Sequence, residues 1–117
     1  MDVTIGLPNT VAGVTRDSLL EWSRRAEARG FPGVASLDRL VYPGYEALIS
    51  LAAAAAVTAR VRLTAQVLLV PWRLNAALIA KQVATVQHLS GGRMVLGVGL
   101  GGREDDYGER HHDGATR

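Results

Sequence analysis

The chain has 117 residues, enough for one small domain with a hydrophobic core. Hydrophobic residues make up 48% of it and charged residues 21%, a balance that argues against disorder along the whole chain. The formal net charge is only +2 and the arginines are spread along the sequence, so no nucleic-acid surface is expected. The chain has no cysteine, which excludes a disulfide scaffold and a Cys-ligated metal and is typical of a cytoplasmic protein.

The sequence also argues against a signal peptide and a membrane segment. Met1 is followed by Asp2 rather than by basic residues. The longest apolar stretch, residues 48–57, is rich in alanine and contains Ser50, and it is too short to cross a bilayer. We therefore expect no contact with a membrane.

Strand and helix patterns alternate from the beginning of the chain. Val3, Ile5 and Leu7 alternate with smaller residues, which predicts a short strand. Thr15 is predicted to cap the helix that follows, and Gly30 to end it in a left-handed conformation. The later elements are predicted as a strand over 33–37, a helix over 45–60, a strand over 61–70, a helix capped by Asn75 and a strand over 94–98.

The order of these elements, βαβαβαβ, predicts an α/β fold with parallel strands. The third strand is apolar on both faces, as expected of a sheet that is covered on both sides. The third helix is expected to face the core with four residues: Ile79, Val83, Val86 and Leu89. Residues 1–102 therefore form one unit, and the polar stretch 103–117 is predicted to be a mobile loop or tail.

Four stretches of the chain resemble the bacterial luciferase-like monooxygenase family. The first is residues 26–31, Ala-Glu-Ala-Arg-Gly-Phe, followed by a strand that ends in Asp38. The second is the third strand with Pro71, and the third is residues 80–93, which end in Leu-Ser-Gly-Gly-Arg. The fourth is the glycine-rich stretch 96–102, followed by Glu-Asp-Asp-Tyr. Together they cover most of residues 3–107.

The resemblance implies a TIM (β/α)₈ barrel that binds a flavin at the carboxyl ends of its strands. A complete barrel needs about 250 residues, so the chain is expected to be a partial barrel, the N-terminal half. The implied function is an oxidoreductase that transfers a hydride between its cofactor and a small organic substrate. Coenzyme F-420, a deazaflavin, is the preferred cofactor, and FMN is the alternative.

The resemblance also implies which residues contact the cofactor. The acidic residue after strand two lies near the ring, and a non-proline cis peptide in strand three, by position near Gln66-Val67, backs it. Glycines after strand four let the backbone approach closely. The expected set is Asp38, Thr64, Gln66, Val67, Gly97, Gly99 and Gly101. Each has a structural alternative: a loop-capping aspartate, an amide that satisfies backbone groups, and glycines required only by a tight turn.

Two motifs raise other interpretations, a dinucleotide-binding turn and a metal site, and the sequence argues against both. Gly97, Gly99 and Gly102 match the dinucleotide-binding pattern G-x-G-x-x-G, but they follow the fourth strand rather than the first, and a Rossmann-like binder would need a helix directly after Gly102. The adjacent His111 and His112 would point apart in an extended chain, so no metal site is expected.

The sequence departs from one branch of the family, the F-420-dependent sugar-phosphate dehydrogenases. That branch has a histidine after the strand-two aspartate and a glutamate just after the strand-four glycines, where this chain has Arg39 and Gly102. No catalytic acid or base is therefore assigned. The alternative function is a non-catalytic half-barrel that self-associates, either as a homo-oligomer or by pairing with a missing C-terminal half.

Overall fold

The computed structural model describes residues 1–102, in which strands and helices alternate as the sequence predicts. The strands are β1 (Ile5–Gly6), β2 (Gly33–Ser36), β3 (Arg62–Leu69) and β4 (Met94–Gly99). The helices between them are α1 (Arg16–Ala28), α2 (Ala47–Ala56) and α3 (Ala76–Leu89). Short 3₁₀ turns follow β1 (Pro8–Thr10) and β3 (Val70–Trp72).

The strands form a single parallel sheet in the order β1-β2-β3-β4. Val34 of β2 lies opposite Ile5 of β1 and Leu63 of β3, and Leu63 in turn lies opposite Met94 of β4. Each strand thus pairs with the next strand in the sequence, after one intervening helix. This arrangement confirms the predicted α/β class and a partial barrel.

The predicted helix boundaries are confirmed where a capping residue sets them. The Thr15 side chain accepts a hydrogen bond from the Ser18 N–H, and the Ser18 hydroxyl accepts one from the Thr15 N–H, which closes a capping box. Gly30 adopts a φ of +85° after α1, and the Asn75 side chain accepts the Leu78 N–H at the start of α3. These contacts involve neighbours in sequence, so the sequence contains the whole signal.

The second helix is shorter than predicted, because other contacts occupy its ends. It begins at Ala47 with Glu46 as its cap, and it ends at Ala56. Beyond that end, the Glu27 carboxylate of α1 accepts the N–H groups of Ala59, Arg60 and Val61 at 2.7–3.0 Å. Burial raises the pKa of Glu27, but these backbone hydrogen bonds together lower it by more, so the net pKa lies below its ordinary value.

The core lies between the helices and one face of the sheet. Its fully buried members include Val34 of β2, Leu51 of α2 and Leu63 of β3. Leu89 of α3 was expected there, and this prediction is wrong, because its side chain is 67% exposed. It lies about 60° around the helix from the buried Val86, beyond the side of α3 that packs on α2 and β4.

The other face of the sheet is open among residues 1–102. Leu63 and Ala65 are buried toward the helices, whereas Thr64 between them is half-buried on the opposite side. Its register partner Val95 is 42% exposed. The expectation that strand three is covered on both sides therefore fails in this part of the chain, since no described element lies over the open face.

No helix within residues 1–102 is both long and apolar enough to cross a membrane.

Candidate functional site at the carboxyl ends of the strands

Strand β3 is interrupted in its second half. The register with β4 shifts between Ala65 and Leu68, and the Gln66-Val67 peptide bond within that bulge is cis. The resemblance placed a non-proline cis peptide at this position, and the structure has it there. The side chains of Gln66 and Val67 are both exposed, so the bulge presents one amide and one branched apolar group to the open face.

Two glycines of β4 make room for the bulge. A Cβ added to Gly97 would lie 2.7 Å from the Ala65 carbonyl oxygen and 3.2 Å from a Val67 methyl group. A Cβ added to Gly99 would lie 2.5 Å from the other Val67 methyl group. Sequence reasoning attributed these glycines to close approach of a cofactor. The structure provides a second reason for them, which is contact with the neighbouring strand.

Asp38 follows β2 and its carboxylate is almost completely buried, with 3% of the side chain exposed. Its Oδ2 atom accepts the backbone N–H of Leu69 at 2.8 Å and the Nε–H of Arg73 at 3.2 Å. Its Oδ1 atom accepts a second guanidinium N–H of Arg73 at 2.9 Å. The carboxylate thus ties the end of β2 to the end of β3, which agrees with the structural alternative of a capping aspartate.

Arg73 connects this aspartate to the start of α2. The same Nη2 group that bonds Asp38 also donates to Glu46 Oε1, while Glu46 Oε2 accepts the Ile49 N–H as the cap of α2. The Arg73 side chain is 12% exposed. Burial lowers the pKa of Arg73, but the hydrogen bonds to Asp38 and Glu46 more than offset it, so the net pKa is raised. The guanidinium remains charged.

Asn9 holds the loop that follows Asp38. Its buried side chain donates to the Leu37 and Tyr45 carbonyl oxygens at 2.8 and 3.2 Å and accepts the Leu37 N–H at 3.3 Å. Gly44 has a φ of +144°, and a Cβ there would overlap the Asn9 carbonyl oxygen. The ends of β1 and β2 and the start of α2 are therefore fixed to one another through a single amide.

A cavity of about 250 Å³ opens where β2, β3 and β4 end. It is lined by residues that follow or end these strands: Leu37, Asp38, Arg39, Gln66, Val67, Leu69, Gly101 and Gly102. We call this cavity the mouth. The Arg39 guanidinium lies at its rim, 3.9 Å from the centroid of the Tyr42 ring. The lining is mostly apolar with a few polar groups, which is the usual composition of a small-molecule site.

Four of the seven predicted site residues line the mouth, and the other three lie near it. Asp38, Gln66, Val67 and Gly101 line it directly, and Gly101 adopts a φ of +72°. The other three do not line the cavity. Thr64 lies deeper on the open face of β3, and Gly97 and Gly99 lie against Val67 in β4.

Sequence reasoning missed Arg73, Glu46 and the clamping role of Asn9. Their partners are 27 to 36 residues away along the chain, so no local spacing identifies them. The one available signal was a charged residue, Arg73, four residues beyond the apolar end of β3.

A larger cavity of about 800 Å³ lies on the helix-facing side of β4. It is lined by α3 and by Met94 and Leu96 of β4, and almost all of its lining is apolar. It extends past the carboxyl end of β3, where Val70, Pro71 and Arg73 line it, but it is lined by none of the residues expected to contact the cofactor. We therefore regard the smaller mouth as the candidate site and the larger cavity as an uncovered part of the hydrophobic layer.

Within residues 1–102, no group of three or more His, Asp or Glu side chains is arranged to hold a metal ion. His111 and His112 lie outside the described residues, as does the predicted tail 103–117.

The parallel sheet, the helix after each of its first three strands and the cavity at the strand ends define a class, the barrel-type α/β proteins. Comparison with known families narrows this class. The luciferase-like monooxygenase family model matches residues 1–117, and the chain belongs to that family.

Two curated relatives illustrate the similarity. An uncharacterised protein of Mycobacterium tuberculosis is 47% identical over 58 residues, which is 50% of this chain and 20% of the relative. An F-420-dependent glucose-6-phosphate dehydrogenase of Amycolatopsis mediterranei is 38% identical over 89 residues, which is 71% of this chain and 27% of the relative. The chain therefore spans about a fifth to a quarter of the length of these relatives.

Solved structures agree with this family. A monooxygenase of Streptomyces bottropensis is similar with a TM-score of 0.79 and 30% identity, over 95% of this chain and 36% of that one. The oxygenating component of a diketocamphane monooxygenase of Pseudomonas putida, solved with FMN, is similar with a TM-score of 0.77 and 19% identity. That match covers 92% of this chain and 32% of the other, and at its identity it shows the fold alone.

Proposed function

We propose that the chain forms the cofactor-facing part of a flavin- or F-420-dependent oxidoreductase that transfers a hydride between its cofactor and a small organic substrate. The observation that carries the proposal is the meeting of Asp38, Gln66, Val67 and Gly101, from three strand ends, around one cavity. In barrel enzymes of this type the chemistry takes place at that end of the strands. The proposal concerns the whole protein's activity, of which this chain supplies one wall of the site.

The lining of the mouth fits one edge of a planar ring. A volume of about 250 Å³ lies just below the usual range for small-molecule pockets, so the described strands enclose part of a tricyclic ring rather than all of it. Val67 and Leu37 offer apolar contact, and the exposed Gln66 amide offers one donor and one acceptor. When bound, the cofactor supplies the hydride chemistry, and these residues bind it, orient it and exclude water.

F-420 is the cofactor we favour. The support is the curated F-420-dependent relative, whose identity of 38% extends over 71% of this chain. FMN remains the alternative, suggested by a solved structure that shares the fold at 19% identity.

We do not extend that relative's sugar-phosphate activity to this chain. The resemblance associates it with a histidine after the strand-two aspartate and a glutamate after the strand-four glycines. This chain has Arg39 and Gly102 at those positions, and both line the mouth. An arginine that stacks on Tyr42 is permanently charged, so it does not exchange protons as a histidine does. The substrate pocket therefore differs from that of the dehydrogenase.

A fluorescence titration of the purified chain with F-420, and separately with FMN, tests the proposal. We expect saturable binding of one of the two, weakened by Gln66→Ala at the mouth. Arg62→Ala is the matched control, because Arg62 lies at the opposite end of the same strand and its side chain forms an exposed ion pair with Asp2. Binding of neither cofactor, or equal loss in both variants, would reject the mouth as the cofactor site.

A second candidate function is a non-catalytic half-barrel that self-associates or pairs with a separate C-terminal half. The observation that favours it is the amount of apolar surface left open around β4. Leu96 and Val98 on its helix-facing side are 41% and 57% exposed, and Val95 on the open face is 42% exposed. Surface of this kind favours association.

A cytoplasmic location, expected from the lack of cysteine, stays a prediction.

A further inference from the structure

We infer that Arg73 is a positioning residue for the mouth. By holding the Asp38 carboxylate against the end of β3, it fixes the positions of Gln66 and Val67 in the lining. The inference rests on the proposed function for its binding measurement, but its structural measurement is independent of any cofactor. Arg73 does not line the mouth, so it acts through Asp38.

Arg73 is connected to the bulge of β3 through Asp38. Asp38 accepts the Leu69 N–H, which lies two residues beyond Val67. The strand pairing between β3 and β4 resumes only at Leu68 and Leu69 after the bulge. The Asp38–Leu69 hydrogen bond therefore fixes the segment by which the bulge rejoins the sheet, on the side of β3 that faces β2.

The position of the Asp38 carboxylate depends on Arg73. Both carboxylate oxygens of Asp38 accept hydrogen bonds from the guanidinium, in the two-pronged geometry that arginine makes and lysine does not. With 3% of its side chain exposed, Asp38 without Arg73 would be a buried carboxylate that has lost its charged partner. Such a carboxylate is expected to turn toward solvent, which would break its hydrogen bond to the Leu69 N–H.

Glu46 fixes the orientation of Arg73 itself. Glu46 caps α2 through one oxygen and accepts from Arg73 through the other, so the guanidinium is held from a helix as well as from a strand. A side chain fixed at both sides loses little further entropy when it binds Asp38. The geometry of the mouth is thereby linked to the start of α2.

The test compares Arg73→Gln with Arg93→Gln. Arg93 is a matched control because it also makes several partly buried hydrogen bonds, but at the amino ends of the strands, away from the mouth. Three quantities are measured for each variant: the NMR signals of the Gln66 side-chain amide and the Val67 methyl groups, the rate of hydrogen exchange at the Leu69 amide, and the dissociation constant for F-420 and for FMN.

We expect Arg73→Gln to shift the Gln66 and Val67 signals, to speed hydrogen exchange at the Leu69 amide, and to weaken binding by about tenfold or more. Arg93→Gln is expected to lower stability but to leave the Gln66 and Val67 signals at their wild-type positions. Its dissociation constant should stay within about twofold of wild type. Wild-type signals at Gln66 and Val67 in Arg73→Gln would overturn the inference, whatever its stability.

Two additions keep the inference separate from folding and from the proposed function. If Arg73→Gln does not fold, Arg73→Lys, which keeps the charge without the two-pronged geometry, is measured in the same way with the same criteria. If the wild-type chain binds neither cofactor, the proposed function fails, and the NMR comparison alone decides whether Arg73 positions the mouth.

Discussion

At the scale of single residues, the two glycines of β4 are required by their neighbour rather than by a turn. Neither Gly97 nor Gly99 has a positive φ, so an alanine at either position would keep an ordinary backbone. The obstacle is Val67 together with the Ala65 carbonyl group. This makes the glycines a steric complement of the bulge.

We therefore predict that Gly99→Ala destabilises the fold by about 1–3 kcal/mol, the usual cost of adding a methyl group to a packed site. Chemical denaturation measures the change. Gly102→Ala is the control, because a Cβ there would meet no atom of residues 1–102 within 4 Å. The double variant Val67→Ala, Gly99→Ala should recover part of the loss, since the clashing methyl group is then gone. Equal losses in Gly99→Ala and Gly102→Ala would contradict the steric explanation.

Glu27 leads to a prediction about pH. Its pKa is lower in the folded chain than its ordinary value, so the folded state binds this proton less well than the unfolded state does. The stabilisation is present above the ordinary pKa of 4.5 and is lost as pH falls through the folded pKa. Because Glu27 is partly exposed, solvent screening keeps the effect small.

Thermal melting of wild type and Glu27→Gln between pH 7 and pH 3 checks this prediction. We expect Glu27→Gln to be less stable than wild type at pH 7. The difference in stability should shrink as pH falls below 4.5, because the wild-type carboxylate then becomes neutral, as the amide of the variant already is. Asp17→Asn serves as the control, since Asp17 is highly exposed on α1. A difference that stays constant with pH would show that the glutamate acts through packing and not through its charge.

At the scale of elements, Arg93 joins the end of α2 to the start of β4. Its guanidinium donates to the carbonyl oxygens of Ala55 and Thr58, near the end of α2, and to that of Val61, just before β3. A cation is favourable at a helix carboxyl end, and these carbonyl groups have no helical partner of their own. The side chain therefore caps α2 from a distance of more than thirty residues in sequence.

Replacing Arg93 by alanine should cost about 2–3 kcal/mol, since several carbonyl groups lose a charged donor at once. Arg62→Ala provides the comparison. That arginine belongs to an exposed ion pair with Asp2, which is worth about 1 kcal/mol at most. Urea denaturation of both variants measures the difference. Similar losses in the two would mean that the Arg93 hydrogen bonds contribute no more than a surface pair.

The sequence predicted the elements well where their signals are local. Thr15, Gly30 and Asn75 mark helix ends through contacts within four residues, and all three act as predicted. The ends of α2 were predicted less well, because Glu46 and Glu27 determine them and Glu27 comes from another helix. Boundaries that depend on distant residues are not encoded in local pattern.

At the scale of the whole molecule, the apolar surface around β4 has no cover among residues 1–102. Val98 on the helix-facing side and Leu78 on α3 are 57% and 54% exposed. The apolar cavity of about 800 Å³ lies on the same side of the sheet. Apolar surface at a sheet edge drives chains together in water unless another element covers it.

We predict that the isolated chain self-associates in a concentration-dependent way and that Val98→Lys reduces the association. Sedimentation velocity over a range of concentrations measures both. Ile49→Lys is the control, because Ile49 is 71% exposed on α2, away from β4. A monomeric wild-type chain would reject the prediction. An equal effect of both lysines would show that net charge, rather than the β4 surface, controls the association.

The sequence by itself determined the order of strands and helices, the α/β class and the family, since these depend on periodicity, capping residues and motifs that lie within short stretches. It also identified the strand ends where Asp38, Gln66 and Gly101 meet. Only the tertiary structure decided that Asp38 pairs with Arg73, that Asn9 clamps the loop to α2, and that Gly97 and Gly99 accommodate Val67. The physical reason is range: a hydrogen bond or a steric contact between distant residues exists only after the chain brings them together.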